Sequence, residues 1–298
     1  MTDWRYDLVP VSDDRVLEVL VREGDTGSRA VLWFTGTPGG AIPDEDLAEQ
    51  ADRYGLRLIQ PLRPGYGQSS PRPGRRVVDF VEDVDAVLQH YRVTEVITMG
   101  ASGGGPHSLA MAAALPQCRA AGVLVTVAPR DAEDLDFYDG MASSNQEEWR
   151  LADQGEDAVR PWLEKAAADM HPEEGTEGIL DLFDDSVSAV DRAVMSSPAG
   201  ANLSARFAKA IEAGIEGWFE DDIALTTPWG YRPEDVERPV TFWTGKQDYF
   251  VSYKHTVWLA QRVPDADLHV FAGHGHLSLR PAHLTAIVDD LVDRAGWL

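Results

Sequence analysis

Short, mostly apolar runs alternate with helical patterns along much of this 298-residue chain, and that alternation limits the possible folds more than any other feature. The runs occupy residues 30–34, 56–59, 96–99 and 122–127, and they resume at 240–243 and 268–271. Continuous hydrophobicity marks strands buried on both faces, hence a parallel sheet covered by helices. Intervening stretches 43–53, 77–91, 103–114, 253–262 and 281–294 carry the spacing of helices. An earlier segment, 15–21, alternates between apolar and polar residues and predicts an antiparallel strand. The hydrophobic fraction of 44% supports a sizeable core.

Residues 131–225 break this rhythm. Ile179, Leu182, Phe183, Val187, Val190 and Val194 recur at steps of three and four, as do Leu203, Phe207, Ile211, Ile215 and Trp218. Trp162, Leu163, Ala166 and Met170 add a shorter stripe. These patterns predict an all-helical insertion of four or five helices, dividing the chain into 1–130, 131–225 and 226–298. Most of the stripes must pack the insertion itself, and a minority would line a pocket beneath it. Gly140 and Gly217 are candidate flexible points.

The insertion holds 24 acidic and 6 basic residues, so it carries −18 of the net charge of −24. Such a surface repels nucleic acid and anionic membranes, and it favours a small neutral or cationic molecule as partner. No run of eighteen apolar residues is present to span a membrane. Cys118 is the only cysteine, which excludes an internal disulfide and a thiolate metal site. The first residues, Met-Thr-Asp-Trp-Arg, do not resemble a secretory leader, so the expected location is cytoplasmic.

The chemistry concentrates at Gly100-x-Ser102-x-Gly104, between the run 96–99 and a helical pattern. A serine on a sharp strand-to-helix turn needs neighbours without Cβ atoms, and the turn lifts its hydroxyl above the sheet. A hydroxyl is a poor nucleophile at neutral pH unless a base stands beside it. Of eight histidines, only His274 and His276 directly follow a predicted strand, where reactive groups of a parallel sheet gather. His90, His171, His255 and His283 fall in helical patterns as surface residues, His269 lies in a strand, and His107 suits packing or hydrogen bonding. Asp248 follows the strand at 240–243 and can orient the base, with Asp131 and Asp134 as lesser alternatives. The resulting chain order is serine, aspartate, histidine.

Four motifs together resemble the α/β-hydrolase superfamily, within it the lid-bearing serine hydrolases of esterase and proline-iminopeptidase type. They are Thr35-Gly36-Thr37-Pro38-Gly39-Gly40, Arg63-Pro64-Gly65-Tyr66-Gly67-Gln68-Ser69, the glycine–serine turn, and Gly245-x-x-Asp248 with Gly275-His276. The resemblance implies a mostly parallel sheet flanked by helices, with a helical cap inserted after the sixth strand. It also implies Ser102 as nucleophile, His276 as base and Asp248 as orienter, with the backbone N–H groups of Thr37 and Gly103 as oxyanion hole. No metal or organic cofactor is implied. Two positions depart from the pattern. Thr35 replaces a histidine that buttresses the oxyanion loop, where its hydroxyl would make a similar backbone bond. Leu62 replaces an aspartate, which leaves Arg63 without that carboxylate partner. The implied reaction is cleavage of a small neutral ester through an acyl-enzyme. An aminopeptidase removing N-terminal proline, with lid carboxylates, for example Glu216, Glu220 and Asp221, holding the substrate ammonium, is an alternative. Lactone and carbon–carbon hydrolysis, and a binding module on the same fold, stay open.

Overall fold

The computed structural model describes residues 4–25, 27–171, 175–176, 178–179 and 183–298; Leu182 and the first three residues lie outside them. Strands β1 (Arg5–Pro10), β2 (Val16–Arg22), β3 (Arg29–Phe34), β4 (Arg57–Pro61), β5 (Glu95–Ala101), β6 (Cys118–Leu124), β7 (Val240–Gly245) and β8 (Ala266–Phe271) form one sheet. Its order is β1-β2-β4-β3-β5-β6-β7-β8. β2 runs antiparallel to β1 and β4, and every other neighbouring pair is parallel.

Alternate residues of one strand feed two separate cores. Ala30, Leu32 and Phe34 of β3 pack on one side with α2 (Phe80–Tyr91), α3 (Gly105–Ala114) and a helix at Tyr253–Ala260. Val31 and Trp33 face the other, against α1 (Glu45–Asp52) and a helix at Leu279–Arg294. This two-sided burial is why the runs read as continuous rather than alternating. α1 starts where Asp44 accepts a bond from the Leu47 N–H at 3.0 Å, an N-cap worth about 1 kcal/mol.

After β6 the chain leaves the sheet for helices α4 (Ser143–Gln154), α5 (Glu156–Asp169), α6 (Ala189–Met195), α7 (Pro198–Ile211) and α8 (Glu216–Thr226). The chain then returns as β7, α9 (Tyr253–Ala260), β8 and α10 (Leu279–Arg294). The insertion has its own core, which includes Val159, Leu163, Phe183, Met195 and Trp218. Neither long stripe is one helix. The first is interrupted by a 3-10 turn at Asp184–Ser186 and by Ser188, whose hydroxyl caps α6. The second breaks at Gly214, whose φ of +103° an L side chain resists, before α8 begins. Periodicity counts apolar spacing and is blind to these caps.

Two strands differ from expectation. β1 carries no apolar alternation, because this edge strand buries only Val9. β6 begins four residues earlier than the apolar run, in Cys118, Ala120 and Ala121, which are buried but small. No helix among the described residues is long and apolar enough to cross a membrane.

Candidate active site

Parallel register brings the carboxyl ends of the central strands to one edge of the sheet. Phe34 pairs with Gly100, Ala101 with Leu124, Leu124 with Trp243, and Gly245 with Phe271. The loops that follow therefore carry Thr37, Ser102, Asp248 and His276 out on the same side.

Ser102 has φ of +53°, a left-handed conformation costing a non-glycine residue about 1–2 kcal/mol. Its neighbours show why the turn demands glycine. A Cβ at Gly100 would lie 2.2 Å from the Gly104 carbonyl oxygen, and one at Gly104 would lie 2.2 Å from that of Phe34. The turn is pinned from behind by the Thr126 hydroxyl, which donates to the Ser102 carbonyl at 2.9 Å. From here α3 begins, so its positive N-terminal end faces the space beside the serine.

His276 Nδ1 lies 2.8 Å from Asp248 Oδ2, and Asp248 Oδ1 accepts from the Val251 N–H at 2.9 Å. With Nδ1–H donating to the carboxylate, Nε2 is the nitrogen left to take a proton. Burial alone would lower the imidazole pKa, but Asp248, with Asp191 beyond it, more than reverses this and raises it above the ordinary 6.5. Burial likewise raises the Asp248 carboxyl, against the opposing pull of His276.

The remaining histidines separate by position. His274 packs against Phe271 and His283, away from the residues that line the cavity. His107 is fully buried, with Nδ1 3.0 Å from the Gly103 carbonyl; burial and nearby Arg63 lower its pKa to about 3. His255 corrects the sequence reading, since it is buried rather than on the surface. Its ring joins the Ala128 N–H to the Phe137 carbonyl, and burial lowers its pKa to about 4. Asp131 and Asp134 are exposed.

The loop at Thr35–Thr37 is held by a side chain whose role the sequence did not disclose. Arg63 donates to the carbonyls of Thr35 and Gly36 at 2.8 and 2.7 Å. The carboxylate missing at position 62 is replaced by Asp221, reached from α8 of the insertion. Fully buried Asp221 accepts from Arg63, Arg75, Tyr66 at 2.9 Å and the Thr37 hydroxyl at 2.8 Å. Burial would raise its pKa, but the two guanidinium groups hold it well below the usual carboxylate range. The expected buttress by the Thr35 hydroxyl is thus supplied by Arg63, and the Thr37 side chain is tied to Asp221. No spacing in the sequence links Arg63 to a residue 158 positions away.

Ser102, Gly103, Thr37 and His276 line one cavity of about 200 Å³ between sheet and insertion. Its apolar wall includes Trp149, Phe183, Phe207, Trp218 and Phe250. Glu148 and Asp222 also line it. Burial raises the Glu148 pKa to about 7, burial beside Glu148 raises that of Asp222 well above the usual range, and Trp218 donates to Glu148 at 2.7 Å. The acids expected to hold an ammonium are occupied elsewhere. Glu216 pairs with Arg160, Glu220 with Arg75 and the Arg72 N–H, and Asp221 as described. Gly217 sits against the Tyr66 ring, where a Cβ would lie 2.4 Å from the ring.

A hydroxyl, an imidazole with a carboxylate behind it, and a helix N-terminus sharing one cavity can support attack on a carbonyl. Residues 29–279 match the family described as the alpha/beta hydrolase fold. No curated protein matches the sequence. Among solved structures, a bromoperoxidase from Bacillus anthracis is similar with a TM-score of 0.69 and 17% identity, over 98% of this chain and 100% of that one. A thermophilic esterase from Thermogutta terrifontis gives 0.67 and 16%, over 98% and 99%. A proline iminopeptidase from Mycobacterium smegmatis gives 0.60 and 19%, over 98% and 99%. At these identities the likeness is one of fold.

Proposed function

The chain belongs to the alpha/beta hydrolase family, and from that premise we propose that it is a serine hydrolase cleaving an ester of a small molecule through an acyl-enzyme. The observation that carries this reading is Ser102, at φ +53°, sharing a cavity with His276, whose Nδ1 lies 2.8 Å from Asp248. His276 takes the serine proton as Oγ attacks the carbonyl carbon. The N–H groups of Thr37 and Gly103 receive the developing oxyanion, each worth about 3 kcal/mol in such sites. His276 then protonates the leaving alkoxide, and water repeats the cycle on the acyl-enzyme. Asp248 fixes the imidazole tautomer and stabilises its cation. A cavity of about 200 Å³ with an aromatic wall suits a compact, largely apolar acyl or alcohol group.

The Ser102→Ala variant tests this reading directly. Hydrolysis of p-nitrophenyl acetate should fall by about a thousandfold or more, with unfolding behaviour unchanged. A fluorophosphonate probe should label the parent at Ser102 and not the variant. Full activity in the variant would overturn the mechanism.

A second reading, cleavage of an aminoacyl bond, is supported by half-buried Glu148 and buried Asp222, two acids on the cavity wall. An ammonium group is the natural complement of such a pair. Hydrolysis of proline β-naphthylamide faster than of neutral esters would select it.

A further inference from the structure

Asp191 lies in the first turn of α6, is fully buried, and directs its carboxylate away from its own helix into the loop that carries His276. Oδ2 accepts from the His276 N–H at 2.8 Å. Oδ1 accepts from the N–H groups of Leu277 at 3.1 Å and Ser278 at 2.9 Å, and from the Ser278 hydroxyl at 2.7 Å. Three successive backbone donors converging on one carboxylate form an anion-binding nest, and bonds to an ionised acceptor are about twice as strong as neutral ones. Gly275 is shaped by the same contact. A Cβ there would lie 2.3 Å from Asp191 Oδ2 and 2.7 Å from the Ser188 hydroxyl that caps α6.

From this geometry we propose that Asp191 is a positioning residue through which the helical insertion holds the His276 loop in its working place. The inference rests on the reading of His276 as the base. The nest belongs to the core and the anion to the insertion, so α6 must be docked for the imidazole to be correctly set. The same charge acts through space on the ring. Charged groups near the imidazole are Asp248 from the loop after β7 and Asp191 from α6. Arg280 of α10 lines the same cavity but turns to Asp44 at 2.7 Å, and Glu148 of α4 and Asp222 of α8 lie elsewhere on the cavity wall. Removing the Asp191 charge therefore leaves Asp248 as the principal anion favouring the imidazolium.

The test uses Asp191→Asn, which keeps the shape of the side chain, and Ser278→Ala, which removes one donor to Asp191 together with the acceptor of the Gly275 N–H and leaves the charge. In Asp191→Asn the His276 pKa, followed by NMR titration of the imidazole, should fall. The acid limb of kcat/KM should move to lower pH with it. Loss of alignment should lower kcat by about tenfold at an almost unchanged KM. Ser278→Ala should lower kcat by a smaller factor and leave the imidazole pKa where it was. A folded Asp191→Asn protein with parental imidazole pKa and kcat within about twofold overturns the proposal. If that variant fails to fold, parental kcat in Ser278→Ala overturns it instead. The titration needs no turnover, so its outcome stands apart from failure of the serine hydrolase reading, which Ser102→Ala alone decides.

Discussion

At Arg63 one planar fork serves the Thr35 and Gly36 carbonyls and the Asp221 carboxylate together. Lysine has the charge but not the fork, and its three donors radiate from one nitrogen rather than spanning acceptors set apart along a planar guanidinium. The Arg63→Lys variant should lose about 3 kcal/mol of stability in chemical denaturation, because Asp221 would stay buried and under-paired. Its kcat on a short ester should fall by about tenfold or more as the proposed oxyanion loop shifts. An unchanged kcat would detach Arg63 from the chemistry and leave it a structural residue. The motif around Arg63 is local, but its partner lies far along the chain. Leu62 marks an absent aspartate, whereas Asp221 is one of 24 acidic residues in a long insertion and nothing local distinguishes it. Ser102 differs because its signal is local. The glycines that relieve its backbone lie within two positions of it, so a five-residue window contains the whole steric argument.

Among the elements, those of the sheet are legible because burial on both faces leaves an uninterrupted apolar mark, as at β3. β1 escapes notice because only Val9 is buried, and the α6 and α8 starts escape because the Ser188 hydroxyl cap and the Gly214 backbone conformation leave no mark in apolar spacing. Helix α8 shows the same gap in another form. Gly217 reads as a flexible point, yet it is the place where the helix backbone meets the Tyr66 ring. The Gly217→Ala variant gains intrinsic helix propensity of about 1 kcal/mol but forces the ring aside, at a typical overpacking cost of about 1–3 kcal/mol. Net destabilisation is the expected result, measured by thermal unfolding. Stabilisation instead would show that Tyr66 yields easily, and that α8 is held chiefly by Asp221.

On the scale of the whole molecule, the net charge of −24 surrounds a cavity with an apolar aromatic wall. Matched neutral, cationic and carboxylate-bearing esters should rank cationic first and anionic last in kcat/KM at low salt. That spread should narrow as ionic strength shortens the reach of the field. A preference for the anionic ester would reject charge steering and point to groups within the cavity. The insertion meets the core through two buried aspartates, Asp191 at the His276 loop and Asp221 at Arg63. Anyone building chimaeras by exchanging this segment with that of a relative would have to transplant both anions along with the helices. Without them the recipient scaffold would be left with an empty nest at one loop and an orphaned cation at the other, so lid and scaffold are inherited as a matched set.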